Sequence, residues 1–75
     1  MPQRPLDLIN GSLEKTILVI LKNNVEIRGV LQGYDVHLNL VLRDAEEIVD
    51  GTSKRKLGSV VIRGDNIVYI TPAEV

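Results

Sequence analysis

"VEIRGVLQGYD", residues 25–35, decides how this 75-residue chain folds. Val25, Ile27 and Leu31 alternate with Glu26, Arg28 and Gln32, the two-residue period of a strand with one face in a core and the other toward water. Gly29 and Gly33 interrupt the alternation, and glycine inside a strand marks a bulge or a sharp bend. The segment therefore reads as one strand of a strongly curved sheet.

The flanking segments supply the rest of that sheet. Upstream, "TILVIL" (16–21) is β-branched and apolar on both faces, and "NN" at 23–24 makes a turn because Asn tolerates positive φ. Downstream, "LNLVLRDAEEI" (38–48) is the next strand, and "DGTS" (50–53) carries the Asp-Gly signal of a hairpin. "RKLGSVVI" (55–62) and "NIVYI" (66–70) are the last two strands, parted by "RGD" (63–65). "RPLDLINGSL" (4–13) reads as a helix: Pro5 suits its first position, Leu6, Ile9 and Leu13 fall at i, i+3 and i+7, and Gly11 can stop it in a left-handed conformation. The expectation is a mostly β chain forming a single domain over residues 1–75. Residues 1–4 are flexible, 5–12 form a short N-terminal helix, and 15–70 form a strongly bent five-stranded antiparallel barrel-like sheet.

Composition narrows what such a barrel can be. There is no Phe or Trp and there are two Tyr, so the core is aliphatic. The absence of Cys excludes a disulfide framework, and one His without a second His or Cys argues against a zinc site, so no metal or cofactor is expected. A domain of this length buries only about 60% of the surface its unfolded chain exposes, and small domains compensate with disulfides, a metal or oligomerisation. Oligomerisation is the remedy left. The final two strands are the expected barrel edges, and "NIVYI" lacks the charges that guard an exposed edge. Each edge is expected to pair with a neighbouring subunit, a head-to-tail contact that closes into a ring. The apolar run "ILVIL" (17–21) is far too short to cross a bilayer and nothing resembles a signal peptide, so a soluble cytoplasmic protein with no membrane partner is expected. Proteins that bind nucleic acid through a diffuse phosphate-neutralising surface are usually basic, and a formal net charge of −1 argues against one here. Any nucleic acid must be held locally, through its bases.

Two polar groups stand out against the apolar strands. In "YDVHLNLVL" (34–42), alternation puts Val36, Leu38, Leu40 and Leu42 on one side and His37, Asn39 and Val41 on the other. His37 and Asn39 are either satisfied residues at a strand end or face something that is not protein. An imidazole offers a flat face for stacking on a nucleobase, and an Asn amide offers one donor and one acceptor edge. In "IRGDN" (62–66), Gly64 is free to take positive φ in a tight turn. Arg63 and Asp65 are either solvated turn residues or a base-stacking guanidinium and an acceptor that holds another side chain. "KRK" (54–56) faces "DAEE" (44–47) across the hairpin, where screened surface pairs are expected. Ser12, Ser53 and Ser59 have no nucleophile motif around them, and no phosphate loop or catalytic carboxylate pair is apparent. Catalysis is not expected.

Together, "DVHLNLVLRDAEE" and "VIRGDNIVYI" resemble the two signature segments of the Sm and Sm-like (LSm) RNA-binding family. The first carries Asp-x-His-x-Asn, here Asp35, His37 and Asn39; the second is an Ile-Arg-Gly-Asp-Asn turn, here Ile62 to Asn66. The upstream "LKNNVEIRGVLQGYD" also fits, with Gly29 at the bend, and the resemblance spans Pro5 to Pro72. Asn23-Asn24 stands where the family commonly has Gly after the Lys, and Leu38 replaces a common Met. The bacterial relative Hfq has a Tyr-Lys-His turn instead, so "IRGDN" points to the Sm/LSm branch, and the absence of Arg-Gly repeats looks like its minimal archaeal members.

The resemblance implies the Sm fold, a small barrel of SH3-like or OB-like type, in a ring usually of seven subunits closed by pairing the fourth strand of one with the fifth of the next. It implies uridine-rich single-stranded RNA bound around a central pore, with the ring as a scaffold or chaperone in RNA processing or stability, alongside RNA-processing proteins. By position, His37 and Arg63 would sandwich a base, Asn39 would read its edge, Gly64 would leave room for base or backbone, and Asp65 would hold the Asn39 amide. Repeated around a ring, Arg63 would form a circle of positive charge inside an acidic particle. Apart from the resemblance, Arg4 and Tyr34 could offer a cation and an aromatic on the helix-bearing face as secondary RNA contacts, but an amphipathic surface Tyr and a flexible terminus are the favoured reading. The rival is an oligomeric small-barrel module that binds protein rather than RNA; it gives no reason for the His37/Asn39 and Arg63/Asp65 pairs.

Overall fold

The structure, a computed structural model, describes residues 5–73. Helix α1 (Pro5–Asn10) precedes strands β1 (Thr16–Leu21), β2 (Glu26–Tyr34), β3 (Leu40–Val49), β4 (Thr52–Ile62) and β5 (Ile67–Pro72). Single 3-10 turns at Lys22–Asn24 and Gly64–Asn66 join β1 to β2 and β4 to β5. The strands form one antiparallel sheet in the order β4-β3-β2-β1-β5. This is the expected fold class, and β4 and β5 are its two edges.

Turn chemistry sets the connections. Asn23 and Asn24 take positive φ (68° and 62°), as the pair of asparagines predicts. Asp50 and Gly51 (φ 53° and 79°) form a two-residue hairpin of the mirror-image type, whose twist matches the strands it joins. The bends lie where the glycines predict them: the β2–β3 register shifts between Arg28 and Val30, and again between Leu31 and Gly33. At the first shift β3 comes so close that a Cβ on Gly29 would lie 3.1 Å from Ala45 Cα and 3.2 Å from the Arg43 carbonyl oxygen.

The curved sheet wraps an aliphatic core. Ile17, Val19, Leu31, Leu40 and Leu42 are completely buried, and Ile9 of α1 closes over them. Burial of each such side chain contributes about 1.5–3 kcal/mol, and the one aromatic packed against this cluster is the partly buried Tyr34. Outside, Arg28 pairs with Glu46, and Arg55 pairs with Glu47 at 3.6 Å, the expected meeting of "KRK" with "DAEE". Among the described residues no helix is long and apolar enough to cross a membrane.

The helix is shorter than the expected 5–12. The Gly11 N–H donates to the Asp7 carbonyl at 3.0 Å, after which Ser12 and Leu13 donate to Ile9 and Asn10, three residues back, in tighter turns. Gly11 is not left-handed; Glu14 is (φ 62°), and its N–H donates to the Leu31 carbonyl at 2.8 Å. Docking of this backbone on β2 ends the helix, in place of a glycine cap.

Candidate nucleic-acid interface

Pairing of Leu40 with Ile62 across β3 and β4 makes two loops leave the sheet side by side: residues 35–39 before β3 and residues 63–66 after β4. The strand alternation does not continue into the first loop. Leu38 takes a positive φ of 60°, its N–H donates to the Asp35 carbonyl at 3.0 Å, and Val36 is 75% exposed. Residues 35–39 are thus a compact turn, correcting the expected strand start at residue 38. Local carboxylate-to-backbone bonds outcompete the sheet ladder there.

Asp35 organises that turn. Its Oδ1 accepts from the backbone N–H of His37 (2.9 Å) and of Asn39 (3.0 Å), and its Oδ2 accepts from Asn39 Nδ2 at 3.0 Å. The Asn39 side-chain amide, then its backbone N–H, do most to hold the Asp35 carboxyl below the usual carboxylate range, with smaller contributions from the His37 N–H and the charge on its ring. The Gly64 N–H donates to Asn39 Oδ1 at 2.8 Å, joining the two loops. The amide of Asn39 is therefore held between an acceptor-only carboxylate and a donor-only N–H. A flip would put NH₂ against N–H and oxygen against carboxylate, losing both bonds. Among the described residues, one amide N–H and one Oδ1 lone pair stay unused, the pair that a ligand edge can meet.

Three expectations change here. Asp65 does not hold Asn39; its carboxylate lies 3.4 Å from Arg63 Nη2, and Asp35 does the holding. Gly64 does not take positive φ. It is glycine because a Cβ would stand 2.9 Å from the Leu38 carbonyl carbon and 3.0 Å from that of His37, forcing the loops apart. Arg63 is not an uncompensated positive charge, because Asp65 accompanies it.

His37, Asn39, Arg63, Gly64 and Asp65 line one open depression, so the predicted site residues are brought together. His37 and Arg63 are exposed, while Asn39 and Gly64 are half-buried. Flat exposed groups thus share one depression with a fixed, half-buried amide. Tyr34 does not line this depression but borders an adjoining one with Asp35, Asn39 and Arg63, and its hydroxyl donates to Asn10 Oδ1 at 3.0 Å, tying β2 to α1. Arg4 lies outside the described residues. Asp35 is the residue organising this turn that the sequence reading left without a role. Its signal was an Asp two and four residues before His37 and Asn39, the spacing at which an Asp side chain captures downstream N–H groups.

A family model, the LSM domain, matches residues 7–72. The chain is 60% identical over 72 residues to the snRNP Sm-like protein of Methanococcoides burtonii, covering 96% of this chain and all of that one. Its fold is similar to that of the Pyrococcus abyssi Sm protein solved in complex with a uridine heptamer, with a TM-score of 0.90 and 56% identity over 95% of this chain and all of that one. It is also similar to a subunit of the Pyrobaculum aerophilum SmAP1 heptamer, with a TM-score of 0.89 and 40% identity over the whole of both chains.

Proposed function

The chain belongs to the LSM domain family, and from that premise we propose that it assembles into a seven-membered ring and binds uridine-rich single-stranded RNA around the central pore. In this reading the whole chain acts as one domain, in the cytoplasm, as an RNA scaffold or chaperone and not as an enzyme. The observation that carries it is the fixed orientation of the Asn39 amide. Uracil presents N3–H between two carbonyl oxygens, so Asn39 Oδ1 accepts from N3–H while Nδ2 donates to a neighbouring carbonyl. Cytosine presents an acceptor at N3 beside an amino donor and would need the amide reversed, against Asp35 and Gly64. His37 and Arg63 supply the planar groups for the two faces of the base.

The sheet edges support the ring. β4 and β5 lie at opposite ends of the strand order, and Val61, Val68 and Tyr69 on them are 70%, 60% and 57% exposed. Pairing β4 of one subunit with β5 of the next would cover both edges. The heptamer from P. aerophilum and the uridine-heptamer complex from P. abyssi support the subunit number and the ligand. One stacked base contributes about 1–3 kcal/mol, weak for a single subunit, and repetition around a ring supplies the avidity.

Fluorescence anisotropy with labelled U-rich and C-rich oligonucleotides tests the reading, with particle mass followed by light scattering. The expected result is a ring that prefers U, with the preference lost in Asn39→Ala. Binding indifferent to base and to Asn39 would contradict it and leave the protein-interaction barrel.

A further inference from the structure

The pocket contains a charge whose position base recognition alone does not explain. Asp65 stands at the rim beside Arg63, both side chains well exposed (64% and 76%), with the carboxylate 3.4 Å from the guanidinium. It makes no bond to Asn39, whose partners are Asp35 and Gly64. The turn also closes without it: the Asn66 N–H donates to the Arg63 carbonyl at 3.1 Å, with no side-chain cap. A carboxylate beside the one cation expected to meet RNA is unfavourable for phosphate binding. The depression holds Arg63 against Asp65, and Asp35 adds a second carboxylate behind Asn39.

We propose that Asp65 is a specificity-determining residue: it neutralises Arg63 toward phosphate, so that RNA without a matching base edge is not retained. This rests on the reading of the pocket as a uracil site. The pair need not be strong. Exposed ion pairs contribute only about 0–1 kcal/mol, but a carboxylate within a few ångströms lies well inside the screening length of about 8 Å at physiological salt. Its charge offsets much of the attraction that Arg63 would exert on an arriving phosphate. The guanidinium keeps its planar face, which serves stacking and does not need a net positive field. Discrimination then has two parts. The locked amide favours uracil, and the neutralised rim denies other bases the charge-driven binding that would mask this preference. Around a ring, each pocket repeats the cancellation, consistent with a chain whose formal net charge is −1.

Salt dependence tests this. Binding of U-rich and C-rich oligonucleotides is measured from low to high salt for the wild-type chain, Asp65→Asn, Asp65→Ser and Asp65→Glu, with ring mass checked by light scattering. For the wild-type chain the expected slope of log affinity against log salt is shallow. In both neutral variants the slope steepens by about 0.7 for each phosphate newly paired with Arg63. At low salt their C-rich binding rises roughly tenfold, as expected when several exposed contacts of this size add. U-rich binding changes less, so the U/C ratio falls, and Asp65→Glu behaves as wild type. A steep wild-type slope, or neutral variants that lose U-rich and C-rich binding equally at unchanged slope, overturns the proposal while leaving the uracil site standing. Absence of any U preference in the wild-type chain overturns both. The wild-type slope remains decisive even if a variant fails to assemble.

Discussion

At the scale of single residues, the recognition chemistry rests on which acidic group faces the Asn39 amide. Two aspartates stand in the site motifs, and both are acceptors when ionised; the sequence reading assigns the Asn39 amide to Asp65, and the structure gives it to Asp35. Asp35 wins because it lies in the same tight turn, where its carboxylate collects two backbone N–H groups as well as the amide. Strand alternation drawn through residues 36–39 hid that turn. Gly64 was legible as an obligatory glycine, though for the wrong cause: the requirement is close approach to the His37 and Leu38 backbone, which only the tertiary fold reveals.

The Asp35 bonds have a measurable consequence. A carboxyl that accepts several hydrogen bonds favours its ionised form, so its folded value lies below the unfolded one of about 3.9. The stabilisation is therefore fully present above that unfolded value and is lost as pH falls through the lower, folded value. An NMR titration of the Asp35 carboxyl carbon should give a midpoint below about 3.9, moving up in Asn39→Ala because the largest cause is removed. A midpoint at or above the unfolded value, or one unmoved in the variant, would count against the lock.

At the scale of elements, legibility followed local chemistry. The Asp50-Gly51 hairpin, the Asn23-Asn24 turn and the bend at Gly29 each depend on a residue type with a backbone preference or a missing Cβ, and each was readable in place. The end of α1 was not, because the chain is drawn out by the bond from Glu14 to the Leu31 carbonyl, a contact between distant residues. The β3–β4 irregularity around Ala45, where Asp44 and Gly58 take positive φ, also lacked a clear signal in "RDAEE". Packing predicts where the fold is sensitive. Leu42 on β3 is completely buried, so Leu42→Ala should destabilise each subunit by about 2–5 kcal/mol through lost burial and the cavity left behind. Val36→Ala, in the exposed loop before β3, should change stability by no more than about 0.5 kcal/mol. Guanidinium denaturation at one fixed chain concentration, needed because the proposed assembly would couple to unfolding, checks both. Equal losses would contradict the assigned core.

At the scale of the whole molecule, a small barrel ends in two edges, β4 and β5, and carries an open depression between its motif loops. The β5 edge was readable from "NIVYI", which carries no charge, because an unguarded strand has few uses in a solitary domain. In contrast, β4 carries Lys54, Arg55 and Lys56 and was readable as an edge only from its place among the last two strands. Subunit number was not, since it depends on small angles between copies that no local pattern encodes. In the proposed ring, repetition makes a weak pocket effective, so the proposed recognition has to be tested on the assembled particle. The most direct test compares U-rich oligonucleotides carrying N3-methyluridine with others carrying 5-methyluridine. The 5-methyl base keeps N3–H and both carbonyls; the N3-methyl base loses the donor that Asn39 Oδ1 accepts and adds bulk at that edge. Recognition through a locked Asn39 amide predicts that 5-methyluridine binds like uridine while N3-methyluridine falls to the level of cytidine. Equal binding of the two methylated ligands would contradict it.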